Sequence, residues 1–196
     1  SVAVGDVSAQ RLGLLKRLRD ARAARADDDG DAVTRTLSFG GIDRSYSLLN
    51  AHRDPTPAPL VIALHGGGGN GGTMIARWAD QARAEGFVVA APDGVGRSDR
   101  IGTWNAGGCC GEAVKRGVDD VGFVGAVIDD VARRTAIDPR RIYVVGFSNG
   151  GMLTHRVAIA MGTRIAAAAV VPGALFGDEA RAAAPVPMLV IHGEKD

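Results

Sequence analysis

Gly146-Phe147-Ser148-Asn149-Gly150 is the stretch of this chain best suited to chemistry. Its pattern is G-x-S-x-G. It is entered from Ile142-Tyr143-Val144-Val145, a short β-branched and aromatic run. It is left through Gly151 to Ala158, where apolar residues fall at helical spacing. A strand, a sharp turn and a helix in that order lift a serine hydroxyl above the end of a sheet. The flanking glycines admit a strained turn without Cβ clashes. Serine is a weak nucleophile unaided, so the reading requires a base, an acid to orient that base, and an oxyanion hole.

The supporting groups are sought in two further segments. His65-Gly66-Gly67-Gly68-Gly69-Asn70 follows the apolar run Leu60–Leu64. Glycine-rich loops can cradle phosphate, but this one lacks the Lys and Ser/Thr of a P-loop and the G-x-G-x-x-G pattern. Placed after such a strand, it supplies a backbone N–H to an oxyanion. Gly67 is the expected donor, with Gly68 the next candidate, and the N–H of Asn149 is the expected second donor. His65 is expected to shape the loop by hydrogen bonding. His192-Gly193-Glu194-Lys195-Asp196 follows the last apolar run. Asp196 is the expected triad acid, Glu194 is the alternative, and His192 is expected to brace the turn. The chain order Ser, acid, His then places the base after Asp196. The four histidines, His52, His65, His155 and His192, all precede it. His155 lies on the helix leaving the serine and should not reach back over it.

These groups need a scaffold, and the hydrophobic pattern describes one. Thr34–Phe39 and Arg44–Leu49 alternate around Gly40-Gly41, which predicts a hairpin. Unbroken apolar strands are expected at 60–64, 87–91, 142–145, 165–171 and 188–191. Helices are expected at 70–85 and 119–135, the second with Val121, Val124, Ile128 and Val131 on one stripe. Such alternation predicts a parallel sheet covered on both faces, made mixed by the hairpin at one edge. Residues 93–118 read as one long loop. Within it Trp104 is either an aromatic wall for a substrate or a loop anchor. Asp119 and Asp120 fit N-cap and helix-dipole roles, Asp93 a turn, and Trp78 a core stripe.

Bulk properties narrow the class. The chain has 196 residues, 23 basic and 22 acidic, for a net charge of +1. That balance argues against a nucleic-acid partner. No apolar run reaches the roughly 18–20 residues of a membrane span. Cys109 and Cys110 are the two cysteines and lie side by side. They lack metal-type spacing, which leaves a vicinal disulfide, two reduced thiols, or pairing outside the chain. Residues 1–32 read as a basic amphipathic helix followed by an acidic linker, Asp27 to Asp31, without the ligand spacing of a calcium loop.

Six motifs in order carry a specific resemblance. They are Leu64–Gly69, Pro92-Asp93-Gly94, Trp104–Gly111 around the paired cysteines, Val118–Phe123, Gly146–Met152 and Ile191–Asp196. Over residues 33–196 the chain resembles the polyhydroxybutyrate depolymerase and feruloyl esterase branch of the α/β-hydrolases. The resemblance implies a secreted or periplasmic, cofactor-free serine esterase with nucleophile Ser148 and acid Asp196. Its substrates would be polyhydroxyalkanoate-type polyesters or oligomers, or feruloyl or acetyl esters. It also implies a histidine in a loop beyond residue 196, so that the fold stops here after the strand carrying the acid. A binding module or inert fragment without a base, a peptidase and an acyltransferase are the competing readings on the same fold.

Overall fold

The computed structural model describes residues 31–98, 101–182 and 184–194. The helix and most of the linker expected over 1–32, and the acid Asp196, lie outside the described residues. Among the described residues nine strands and four helices follow in sequence. Strands β1 (Val33–Phe39) and β2 (Ile42–Asn50) form the expected hairpin, with Phe39 opposite Ile42 across Gly40-Gly41. Then come β3 (Ala58–Leu64), α1 (Gly71–Glu85), β4 (Val88–Pro92), β5 (Val95–Ser98), β6 (Ile101–Thr103), α2 (Gly111–Lys115), α3 (Asp120–Arg134), β7 (Ile137–Phe147), α4 (Asn149–Met161), β8 (Ala167–Val171) and β9 (Met188–Val190).

Seven strands make one sheet in the order β1-β2-β4-β3-β7-β8-β9. The β1–β2 and β2–β4 pairs are antiparallel, and the other four pairs are parallel. The mixed sheet expected from the sequence is therefore present, with its antiparallel pairs at the β1 edge. Parallel strands end on the same side of a sheet. The loops after β3, β7, β8 and β9 thus gather along one rim, where ligands bind in open α/β sheets.

One expectation needs correction. Residues 93–118 are not a structureless loop: they contain the β5–β6 hairpin and the short helix α2. These pieces are too short and too rich in glycine to show a period. Elsewhere the local rules hold. Asn70 caps α1 by accepting from the Thr73 N–H, and Asp119 caps α3 by accepting from the Gly122 N–H at 2.8 Å. The main core lies between the sheet and α3 and α4. Leu60, Ile62, Val88, Phe123, Val127 and Leu153 are among its fully buried members.

Candidate active site

Ser148 stands between β7 and α4 with φ 54° and ψ −119°. It alone among the described non-glycine residues has a positive φ. Its backbone is held on both sides. The Ser148 N–H donates to the Val171 carbonyl at the end of β8 (3.0 Å), and its own carbonyl accepts from Met152 in α4 (2.9 Å). Ser148 is half-buried at the rim.

The turn closes this tightly because α4 crosses the end of β3 at backbone contact. A Cβ on Gly150 would lie 2.5 Å from the Leu64 carbonyl and strike the His65 carbonyl as well. A Cβ on Gly146 would strike the Gly150 carbonyl and the Thr154 hydroxyl. That approach brings the glycine loop against the serine. A Cβ built on Gly66 lies 3.5 Å from Ser148 Cβ and 3.1 Å from the Phe147 ring, and one on Gly67 lies 3.8 Å from Asn149 Cβ.

The loop amides are unequally committed. Gly68 N–H donates to Gly102 O (2.8 Å), and Gly69 N–H donates to Gly66 O (3.0 Å). No described residue accepts from Gly67 N–H, so of the two candidate donors Gly67 is the one left for a ligand. The N–H of Asn149 opens α4, where a helix supplies no acceptor of its own. The two amides therefore come from adjoining elements beside Ser148. A cleft of about 300 Å³ runs along this loop, bounded by Gly66–Gly69, Arg77 and Phe147.

The histidines are occupied elsewhere. His65 is 1% exposed. Its Nε2 accepts from Gly94 N–H (2.9 Å), which fixes the proton on Nδ1, and Nδ1–H donates to Gly66 O (2.7 Å). Burial holds its pKa below the usual imidazole value, against the pull of the Gly66 carbonyl. His52 ring nitrogens lie 2.7 Å from Gly86 O and 2.9 Å from Thr56 O, and His155 Nε2 lies 3.2 Å from Gly173 O. His192 follows β9 and is exposed.

Trp104 is fully buried, which corrects the expectation of a substrate wall in favour of the anchor. Its indole Nε1–H donates to His65 O (2.7 Å), and its ring lies against the His65 imidazole with centroids 4.6 Å apart. Asn149 is 3% exposed. Its Oδ1 accepts from Trp104 N–H (2.8 Å), and its Nδ2 donates to Trp104 O (3.1 Å). Cys109 and Cys110 are paired with each other as a vicinal disulfide, and Cys109 Sγ lies 4.0 Å from Asn149 Nδ2.

Sequence reasoning missed the depth of one ion pair. Asp120 is not simply a helix-dipole residue. It meets Arg44 at 2.6 Å with both side chains nearly inaccessible, and its second oxygen accepts from Asn105 N–H (2.6 Å). Arg44 stacks 3.7 Å from the Phe123 ring centroid and donates to Asp93 O (3.0 Å). Burial pushes the Arg44 pKa down and that of Asp120 up, and their mutual attraction opposes both shifts. Asp93 also does more than form a turn: its carboxylate accepts from Ser45 Oγ and from Gly71 N–H, each at 2.6 Å. The alternation around Arg44 offered the only sequence signal, a cation on the face of β2 that otherwise carries Ile42, Tyr46 and Leu48.

Comparison with known proteins agrees with this geometry. A family described as alpha/beta hydrolase fold matches residues 59–196. The chain is 32% identical over 141 residues to a bifunctional acetylxylan esterase/xylanase of Neocallimastix patriciarum, covering 71% of this chain and 19% of that protein. It is 32% identical over 148 residues to feruloyl esterase B of Piromyces equi, covering 71% of this chain and 26% of that protein. Among solved structures, the acetyl xylan esterase from Aspergillus awamori superposes with a TM-score of 0.60 at 18% identity, over 74% of this chain and 53% of that one. The chain thus spans a fraction of the length of each. The family match begins at β3 and takes in the glycine loop, the serine turn and β9, and the chain belongs to the α/β-hydrolase fold family.

Proposed function

We propose that the protein containing this chain is a serine carboxylic-ester hydrolase that works through an acyl-enzyme. The observation that carries the reading is Ser148, held at φ 54° on the sheet rim with Gly66 packed against it and Gly67 against the adjoining Asn149. Ser148 Oγ attacks the ester carbonyl while a histidine outside the described residues takes its proton. Asp196 orients that histidine. The amides of Gly67 and Asn149 hold the oxyanion, the alcohol leaves with the proton, and water then releases the acid. A pair of aligned donors of this kind is worth about 10²–10³ in kcat for each donor.

The substrate class is an ester on a small molecule or polymer: feruloyl or acetyl esters, or polyhydroxyalkanoate-type polyesters and oligomers. The names of the relatives support the first two. A vicinal disulfide beside the site suits an oxidising compartment, which supports a secreted or periplasmic protein. The test is a panel of p-nitrophenyl acyl esters and matched anilides assayed with the full-length protein. Turnover of esters, weak turnover of anilides and complete loss in Ser148→Ala are expected. Preferred cleavage of the anilides makes the protein a peptidase. A second reading, a hydrolase-fold binding module without turnover, is favoured by the engagement of His52, His65 and His155 with backbone groups. An inert full-length protein that still retains esters or polyesters would establish that reading instead.

A further inference from the structure

The two proposed oxyanion donors belong to separate elements, and one buried residue is bonded to the supports of both, by its main chain to Asn149 and by its indole to His65. We propose that Trp104 is a positioning residue of the oxyanion hole: it sets the Gly67 and Asn149 amides relative to each other without contacting substrate. The inference rests on the acyl-transfer reading above and deepens it.

On the α4 side, the Asn149 side chain pairs with the main chain of Trp104 at two points, 2.8 and 3.1 Å. A two-point amide pairing fixes both the place and the rotation of the side chain, and the helix N-terminus moves with it. On the loop side, the Trp104 indole donates to His65 O at 2.7 Å while its ring lies tilted against the imidazole. His65 in turn donates from Nδ1 to Gly66 O at 2.7 Å. The carbonyl of Gly66 and the N–H of Gly67 belong to one planar trans peptide and point in opposite directions. Holding Gly66 O on the His65 side therefore aims Gly67 N–H away from it. Gly69 N–H grips the same oxygen at 3.0 Å, and the tautomer of His65 is set by Gly94 N–H on Nε2 at 2.9 Å.

The assembly is buried and braced. Trp104, His65 and Asn149 are 0%, 1% and 3% exposed. Trp104 O also accepts from Cys110 N–H at 3.0 Å, and Ala106 N–H donates to Cys109 O at 2.6 Å, which ties the strut to the disulfide loop. Donors rigid before the reaction need no reorganisation when charge develops on the carbonyl oxygen. A strut of this kind acts on the transition state more than on substrate binding.

The test uses the full-length protein and Trp104→Phe, which keeps a ring in the slot and removes the N–H. Five readouts are taken: kcat, KM on a short acyl ester, the Ki of a boronic-acid transition-state mimic, the pH–rate profile and the melting temperature. A fall in kcat of about 10- to 100-fold is expected, with KM within about twofold, since lost transition-state stabilisation lowers kcat rather than raising KM. The boronate should weaken by the same factor, and the pH–rate midpoint should stay where it is because the base is untouched. If Trp104→Phe does not fold, benzothienylalanine at Trp104 preserves the size of the ring system without the N–H and is read in the same way. A raised KM at unchanged kcat would make the ring a substrate contact and overturn the proposal. Unchanged constants would reduce Trp104 to filler and overturn it as well. In both cases the parent protein remains active, so the esterase reading survives. A parent that hydrolyses no ester removes that reading and this inference together.

Discussion

Ser148 holds φ 54° and ψ −119°, outside the common basins of a residue with a Cβ, and such a conformation costs about 1–3 kcal/mol. The surrounding bonds to Val171 and Met152 impose it. Function and stability therefore pull in opposite directions at this position. Ser148→Gly should abolish ester turnover and raise stability by about 1 kcal/mol, because glycine takes a positive φ at little steric cost. Urea unfolding of the parent, Ser148→Ala and Ser148→Gly measures this, with the alanine variant as the control that keeps a Cβ. Equal stability of the glycine and alanine variants would show that the turn is unstrained. The serine and its glycines were legible in the sequence, since G-x-S-x-G between a strand and a helix has few other uses. The role of Trp104 was not. A tryptophan in a glycine-rich segment has no periodicity to assign its face, and only the fold reveals that its indole faces His65.

At the scale of elements, the site depends on how the segment between β4 and α3 is pinned beneath it. Arg44 on β2 and Asp120 at the start of α3 form that pin, with Asn105 and Asp93 bonded to its two ends. Neither charge has water to fall back on. Asp120→Ala should cost about 3–5 kcal/mol, the usual effect of leaving one partner of a buried pair alone, and the double change Arg44→Met with Asp120→Leu should cost less than that single change. Thermal and urea melts of the two variants measure it. A single-variant cost below about 1 kcal/mol, the range of an exposed pair, would contradict the assigned burial. The strands and long helices were readable because their apolar residues alternate in the hairpin, run unbroken in the parallel strands or fall on one helical stripe. The β5–β6 hairpin and α2 were not, because three- to five-residue elements carry too few repeats. They are held instead by long-range bonds such as Gly68 N–H to Gly102 O.

Across the whole molecule, the sheet converts sequence-distant motifs into one rim. The glycine loop after β3, the serine turn after β7 and the residues after β9 meet there because β3, β7, β8 and β9 run parallel side by side. The same sheet leaves an apolar hollow of about 420 Å³ under β7–β9, bounded by Trp78, Tyr143, Val145 and Leu189. It lies on the face of the sheet and not at the rim, so its size does not make it the reaction site. Chain order in the sequence already implied the rim, but not how closely α4 approaches β3, which depends on backbone contacts at Gly150. We propose that this rim presents Ser148 as the nucleophile. The most direct test is reaction of the full-length protein with a fluorophosphonate, followed by peptide mapping of the adduct. One adduct on the peptide bearing Ser148, slowed by an ester substrate and absent in Ser148→Ala, is the expected result. No adduct, or one that persists in Ser148→Ala, would rule out Ser148 as the nucleophile.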